Sequence, residues 1–330
     1  MKKTLSAAVA LSVLAAPAIA ANLENPLYMP KQGTGYSKTS AGVMYKVADS
    51  SDAMVAKGHD GATEFPIWRV HEELGYGILD NLEAYAKFGY THDGDIDRKG
   101  MHLGRAGLKY RAIDTTDGWV WDLYADAQLG GISEMSGAYT ANGFNYDNYS
   151  NGRWGFHVGT QVGKTWSKFS TAGFVEVLRT FGNDNIRIDI SGSPLAGLAA
   201  YGMPMEVSVD LKSTTEINAG LKMFYQMDDR WSFGGGLTYK HHSDNGVEGL
   251  ATEVPNNPVI LDYVSQLEQQ LEDMEDGFDE YVLNLTAAYQ MTDAMQVAVY
   301  GEYTFDESHA KSQNGTDVKA ELGVRLNVQF

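Results

Sequence analysis

The chain has 330 residues, of which 43% are hydrophobic and 11% aromatic, and it contains no Cys. Twenty-five Lys and Arg against 43 Asp and Glu give a net charge of −18, which argues against a nucleic-acid partner, because neutralising phosphates requires a basic surface. Without cysteine there is no disulfide, thiolate metal site, cysteine nucleophile or lipidated cysteine.

Residues 1–20 read as a cleaved export signal. Lys2 and Lys3 form a basic head, Leu5 to Leu14 a short apolar run, and Ala18-Ile19-Ala20 a small-x-small cleavage site. The run is too short for a membrane anchor, and no apolar stretch beyond it could span a bilayer as a helix. Residues 21–32 then form a short periplasmic segment ahead of one domain at 33–330.

From there the dominant signal is period two, the alternation of a strand whose successive side chains face opposite sides. Weaker strands fit near 36–48 and 65–79. The second breaks the pattern, because its apolar face carries Glu72; a bulge at Glu72-Glu73, or an upper half standing clear of the membrane, would account for this. Leu82, Ala84, Ala86, Phe88 and Tyr90 alternate with Glu83, Tyr85 and Lys87. A weaker strand fits near 101–112. Trp119, Trp121, Leu123 and Ala125 oppose Asp122, Tyr124 and Asp126, and Trp154, Phe156, Val158 and Val162 oppose Arg153, His157 and Gln161. Weaker strands at 169–181 and 185–191 follow, and Val207, Val209 and Leu211 oppose Glu206, Ser208 and Asp210. Ile217, Ala219, Leu221 and Met223 oppose Glu216, Asn218 and Lys222; Trp231, Phe233 and Leu237 oppose Ser232, Thr238 and Lys240. The pattern runs on through 281–289 and 295–305 to Val318–Phe330, where it is cleanest.

Strands of this length exceed those of soluble sandwiches and match the span of a bilayer. Tight connections, such as Asp80-Asn81 and Asp228 to Arg230, alternate with long polar ones at 49–62, 132–152, 243–278 and 306–316. Charge decides the lipid-facing side. Lys87, Asp122, Asp126, Lys222, Glu302, Glu321 and Arg325 share the polar face with Arg153, Glu206 and Asp210. Lysine or arginine against hydrocarbon costs roughly 2–4 kcal/mol near the midplane. The predicted fold is therefore all-β: a transmembrane antiparallel up-and-down β-barrel of about 14 strands, within bounds of about 12 and 16. The spread comes from 185–213; if that stretch is not a crossing pair, the count falls to 12.

The signal segment, the alternation over 33–330 and the terminal strand ending in Phe330 together resemble a Gram-negative outer-membrane β-barrel of the porin-like kind. The resemblance does not single out a subfamily. It implies a bacterial outer-membrane location, contact with membrane lipid and lipopolysaccharide, and recognition of Phe330 by the barrel-assembly machinery. It also implies passage of small hydrophilic solutes. Asp122, Asp126, Arg153, Glu206, Asp210, Lys222, Glu302 and Arg325 are the expected pore lining. In porins the loop in the position of 132–152 folds inward, which makes Tyr139, Asn142 and Tyr146 candidates for a constriction.

Two loop features stand apart. Asn257-Pro258 reads as the start of a helix over 258–276, with Ile260, Tyr263, Val264, Leu267, Leu271 and Met274 at helical spacing. Such a stripe must be buried, by capping the barrel, plugging it or docking on a partner. In Tyr239 to Gly246, His241 and Ser243 lie two apart on one face, which resembles the His-x-Ser-Asn motif of outer-membrane phospholipase A and lipid A deacylases. That likeness implies Ser243 as nucleophile, His241 as base and Asp279 as its orienting acid. The sequence departs from it at Asp244, which separates Ser243 from Asn245. No metal-binding cluster, phosphate-cradling loop or dinucleotide fingerprint appears, and no cofactor is expected. The sequence thus points to a passive channel with an acidic, cation-favouring lumen. A surface esterase and a structural or adhesive barrel binding through its loops are the alternatives, and oligomeric state is left open.

Overall fold

The computed structural model describes residues 22–48, 66–93, 98–130, 136–140, 143–146, 153–191, 194–243, 247–250, 255–272, 277–305 and 318–330. Residues 1–21 (the expected export signal among them), Asn142, Asp244 and the loops at 49–62 and 306–316 lie outside them.

Twelve strands close into a barrel. In chain order they are β1 (Gly35–Ala48), β2 (Ile67–Leu79), β3 (Leu82–Asp93), β4 (Arg98–Asp114), β5 (Trp119–Gln128), β8 (Gly155–Trp166), β9 (Phe169–Thr180), β12 (Thr214–Gln226), β13 (Trp231–His242), β15 (Phe278–Thr292), β16 (Met295–Phe305) and β17 (Val318–Gln329). Each pairs antiparallel with the next, and β17 returns to β1 with Tyr36 opposite Gln329 and Lys46 opposite Lys319. The terminal residue seals the seam: Phe330 N donates to Gly35 O at 3.0 Å, and Gly35 N to Phe330 O at 2.7 Å. Closure leaves no unpaired sheet edge for hydrocarbon to meet.

The tight turns fall at one end, as the connection lengths predict. Their local chemistry is visible at 227–230, where Asp228 Oδ1 accepts from Arg230 N (2.8 Å) and Trp231 N (2.7 Å). Those two bonds hold its carboxyl below the usual range. Ser167 takes a left-handed φ of 49° in the turn between β8 and β9.

The outer wall is apolar, with Leu221, Leu285 and Leu322 each about 60% exposed. Near the tight turns it carries aromatic contacts: Trp231 and Tyr289 have ring centroids 4.9 Å apart, and Trp166 and Phe169 6.0 Å. This is the placement of an interfacial girdle. Glu72 interrupts the wall without a bulge. Pairing runs unbroken through Thr39↔Glu72 and Lys38↔Glu73, and Glu72 accepts from Ser37 Oγ (2.6 Å) and Thr39 Oγ1 (2.5 Å). Hydroxyls on the neighbouring strand, not a shift of register, accommodate the acid.

The barrel has twelve strands, at the lower bound of the expected range, because 185–213 is not a crossing pair. β9 pairs directly with β12, with Thr180 opposite Thr214. β10 (Asn183–Asp189) and β11 (Glu206–Leu211) are 7 and 6 residues long, too short to span hydrocarbon. They join a second, five-stranded sheet in the order β14 (Val247–Leu250), β11, β10, β6 (Ser136–Thr140), β7 (Gly143–Tyr146). Strands from the long loops at 132–152 and 243–278 therefore flank the β10–β11 pair on opposite edges. Helix α1 (Pro258–Glu272) starts where Asn257 Oδ1 caps Val259 N at 3.0 Å. It buries Ile260 and Val264 against Ile190, Met203 and Val207, so these two residues of its apolar stripe are covered by β11 and the connection from β10, while Tyr263 stays exposed.

The segment before β1 does not trail away from the domain. It crosses the tight-turn end of the barrel interior as a bar tied to both walls. Asn22 donates to Gln226 and Ser232 at 2.8 Å each, and Asn25 to Ser170 at 3.2 Å. Successive carbonyls of Pro26, Leu27 and Tyr28 accept from Gln161 (3.0 Å), Arg111 (2.6 Å) and Lys109 (3.0 Å). The Leu27 side chain is buried with Val120 and Ala172, in space that exists because Gly163 lacks a Cβ, which would lie 2.7 Å from Leu27.

Two outcomes follow from this architecture. Leu285→Arg should weaken folding into lipid by roughly 2–4 kcal/mol, measured by urea titration in vesicles, whereas Thr286→Arg on the opposite face should change it little. Leu27→Asp should open residues 22–31 to protease while the barrel keeps its heat-modifiable gel mobility.

Candidate functional site

Above the crossbar the lumen holds a cavity of about 480 Å³. Leu23, Glu24, Asn25, Pro26 and Tyr28 form one boundary, and inward side chains of the strands form the rest. Alternation delivers the charged residues to this face, and burial forces most of them into pairs.

On β1 to β3, Tyr36 donates its hydroxyl to Glu83 (2.6 Å) and lies within bonding distance of Glu73 (2.9 Å). Glu73 also takes Lys38 at 3.4 Å and Lys87 at 3.3 Å. Across β4, β5 and β8, Asp122 is fully buried; it is held by Arg111 at 2.8 and 3.2 Å, Gln161 at 2.8 Å and Lys109 at 3.5 Å. Arg111 thus joins Asp122 to the crossbar carbonyl of Leu27. Asp126 meets Tyr85 and His157, both at 2.7 Å. The other ring nitrogen of His157 lies 3.3 Å from Glu176, which also accepts from Tyr124 at 3.0 Å. On the far side Glu321 takes Arg69 at 3.1 Å and Tyr300 at 2.9 Å. Arg325 clamps Glu24 of the crossbar at 2.9 and 3.1 Å, helped by Asn327 at 2.8 Å. Burial, and then the Glu83 carboxylate, push the Tyr28 phenol up to about 12, so the bar presents it as a neutral donor.

Of the expected lining residues, Lys222, Glu302 and Arg325 stand on the cavity wall. Asp122 and Asp126 point inward but lie beneath other side chains, where they hold the network together. Three placements need correction. Arg153 precedes β8 and is buried, donating to Phe181 O at 2.9 Å and to Lys212 O; it ties strand ends together. Glu206 and Asp210 sit on β11 in the second sheet, and Glu206 faces Arg187 at 3.7 Å. Both were assigned to a barrel strand because β11 alternates as a wall strand does, although it is too short to be one. Tyr139 and Tyr146 lie on the β6–β7 hairpin, with Tyr139 opposite Phe144 and Tyr146 opposite Gly137. That hairpin runs alongside β10.

Of the candidate catalytic set, His241 and Asp279 meet at 2.8 Å, and Asp279 also accepts from Tyr239 at 2.8 Å. Ser243 Oγ instead receives the Thr215 amide at 3.0 Å. Nothing in the residue pattern points directly to Tyr36, Lys38, Arg69, Glu73 or Lys109 as lining. Their strands alternate weakly, and parity assigns a face only once the register is known.

No family model matches the chain, and no curated protein matches it. Among solved structures, the COG4313 outer membrane channel from Pseudomonas putida F1 is similar over 94% of this chain and 99% of that one. The identity is 14% and the TM-score 0.57. A NanC porin is similar over 89% and 98%, at 10% identity and a TM-score of 0.43. The first likeness establishes the fold. Together with the closed sheet, apolar outer wall and polar interior, it defines the chain as a transmembrane antiparallel β-barrel with the fold of that channel.

Arg111→Met would take from the buried Asp122 carboxylate its closest cation, leaving Gln161 and the more distant Lys109, and release the Leu27 carbonyl. Loss of one partner of a buried pair costs roughly 3–5 kcal/mol, so the variant should unfold at lower denaturant and expose the crossbar to protease.

Proposed function

We propose that the chain, exported by its first 20 residues, is a passive channel of the bacterial outer membrane for small hydrophilic solutes. The observation that carries this is a polar cavity inside a closed barrel. Catalysis plays no part in it: selection comes from width and lining charge. The crossbar narrows the tight-turn end. The β6–β7 hairpin with Tyr139 and Tyr146, based on β10, would narrow the other together with Asn142. Since most lumen charges neutralise one another in pairs, the excess acid of the whole chain acts on the approaches and favours cations modestly. Lipid and lipopolysaccharide contact the outer wall, and Phe330 serves as the mark read by the assembly machinery.

Single-channel recording across a salt gradient tests this. The refolded barrel should give discrete steps with a cation-biased reversal potential, and deletion of residues 22–30 should enlarge the steps. A correctly folded but silent barrel would overturn the proposal.

The His241–Asp279 contact favours a second reading, surface ester hydrolysis, which Ser243 would have to serve. With its hydroxyl engaged by Thr215, the expected outcome is no fatty-acid release from phospholipid in calcium-containing detergent. Release abolished by Ser243→Ala would reverse that.

A further inference from the structure

Two charges on the cavity wall stand apart from the paired network. Every other Lys, Arg or Glu lining the cavity has one of the protein partners given above. The side chains of Lys222 and Glu302 make neither a hydrogen bond nor an ion pair among the described residues. Lys222 has only the Phe174 ring, 4.3 Å from its ammonium.

The two occupy one row of the sheet. Lys222 on β12 stands opposite Gly236 on β13, Gly236 opposite Asn284 on β15, and Asn284 opposite Glu302 on β16. Three strand spacings separate the ends, about 14 Å along the wall. Between them Gly236 contributes no side chain. The Asn284 amide leans over it, its Oδ1 and Nδ2 lying 3.1 and 3.3 Å from where a Cβ would stand. That amide also has no hydrogen-bond partner among the described residues. The row is thus a trough with a cation at one end, an amide in the middle and an anion at the other. The surroundings offset this polarity only in part: Glu176 is the foremost charge around Lys222, but it is engaged by His157 and Tyr124, and Lys87 and Lys109 stand there as well, with Glu73. Around Glu302 the foremost charge is Lys240, outside ion-pair distance, followed by Glu321, Arg69 and Glu280.

We propose that this trough seats a small zwitterion, with its carboxylate on Lys222, its ammonium on Glu302 and a polar group of its backbone on Asn284. A solute with one charge satisfies one end and leaves the other exposed, whereas a zwitterion of matching span satisfies both. The proposal deepens the channel reading, on which its transport meaning rests, by naming a solute class.

Calorimetric titration of the refolded chain in detergent tests the seat without requiring conduction. The probes are ε-aminocaproate, caproate and hexylamine, alike in length and different in charge. Saturable binding of ε-aminocaproate is expected, with each singly charged probe weaker by about tenfold or more. Lys222→Met and Glu302→Gln should each lose that preference, and the reversed pair K222E/E302K should regain it. No saturable binding of ε-aminocaproate, or equal binding of all three probes, would overturn the proposal on wild-type protein alone, whatever the folding of the variants. Binding by a barrel that is silent in bilayers would keep the seat and remove the channel. Conduction without saturable binding would remove only the seat.

Discussion

Hydrocarbon offers no hydrogen-bond partner to a peptide group, so a sheet that crosses it must close on itself. The rest of the structure depends on the seam where β17 meets β1. There Phe330 and Gly35 exchange two backbone bonds and every residue from Tyr36 to Lys46 has a partner opposite. Closure sets the membership of the wall. A strand too short to cross cannot contribute, which is why β10 and β11 leave the barrel and build a second sheet with the loop strands. That sheet and the connection between β10 and β11 in turn cover Ile260 and Val264 of α1.

Closure also concentrates charge. Polar residues that an open sheet would leave in water are brought face to face, and inside a narrow barrel an unpaired charge is costly. The interior answers with networks built around Glu73, Asp122, Glu176 and Glu321, each gathering partners from neighbouring strands. The crossbar belongs to the same solution. Its Glu24 completes Arg325, and its carbonyls occupy donors of Gln161, Arg111 and Lys109 that would otherwise face the lumen. A segment too short to fold alone is thereby held from both walls, and the tight-turn end is narrowed. Against so thoroughly paired a background, the isolation of Lys222 and Glu302 acquires chemical meaning.

Much of this was legible in the residues. Period-two alternation identified the barrel and its lipid-facing side, because facing charge outward is prohibitive in hydrocarbon. Asn257-Pro258 announced the helix start through capping chemistry that acts within one turn. Asp80-Asn81 marked a tight turn by residue type, and Asp228 to Arg230 by the side-chain bonds of Asp228 to its own turn. Lys222, Glu302 and Arg325 followed from parity on strong strands. Parity failed at Glu206 and Asp210, where alternation is the same whether a strand crosses the membrane or lies in a loop sheet. It also could not tell that Asp122 is covered while Lys222 is open, since both face inward.

The sequence by itself therefore determined what depends on neighbours along the chain: strand periodicity, turn positions, the helix cap and the face that meets lipid. Tertiary structure alone decided what depends on residues far apart. The closing of twelve strands, the docking of Asn22 to Tyr28 inside them and the row from Lys222 to Glu302 all join distant segments. Register between strands sets these contacts, and no local pattern encodes it.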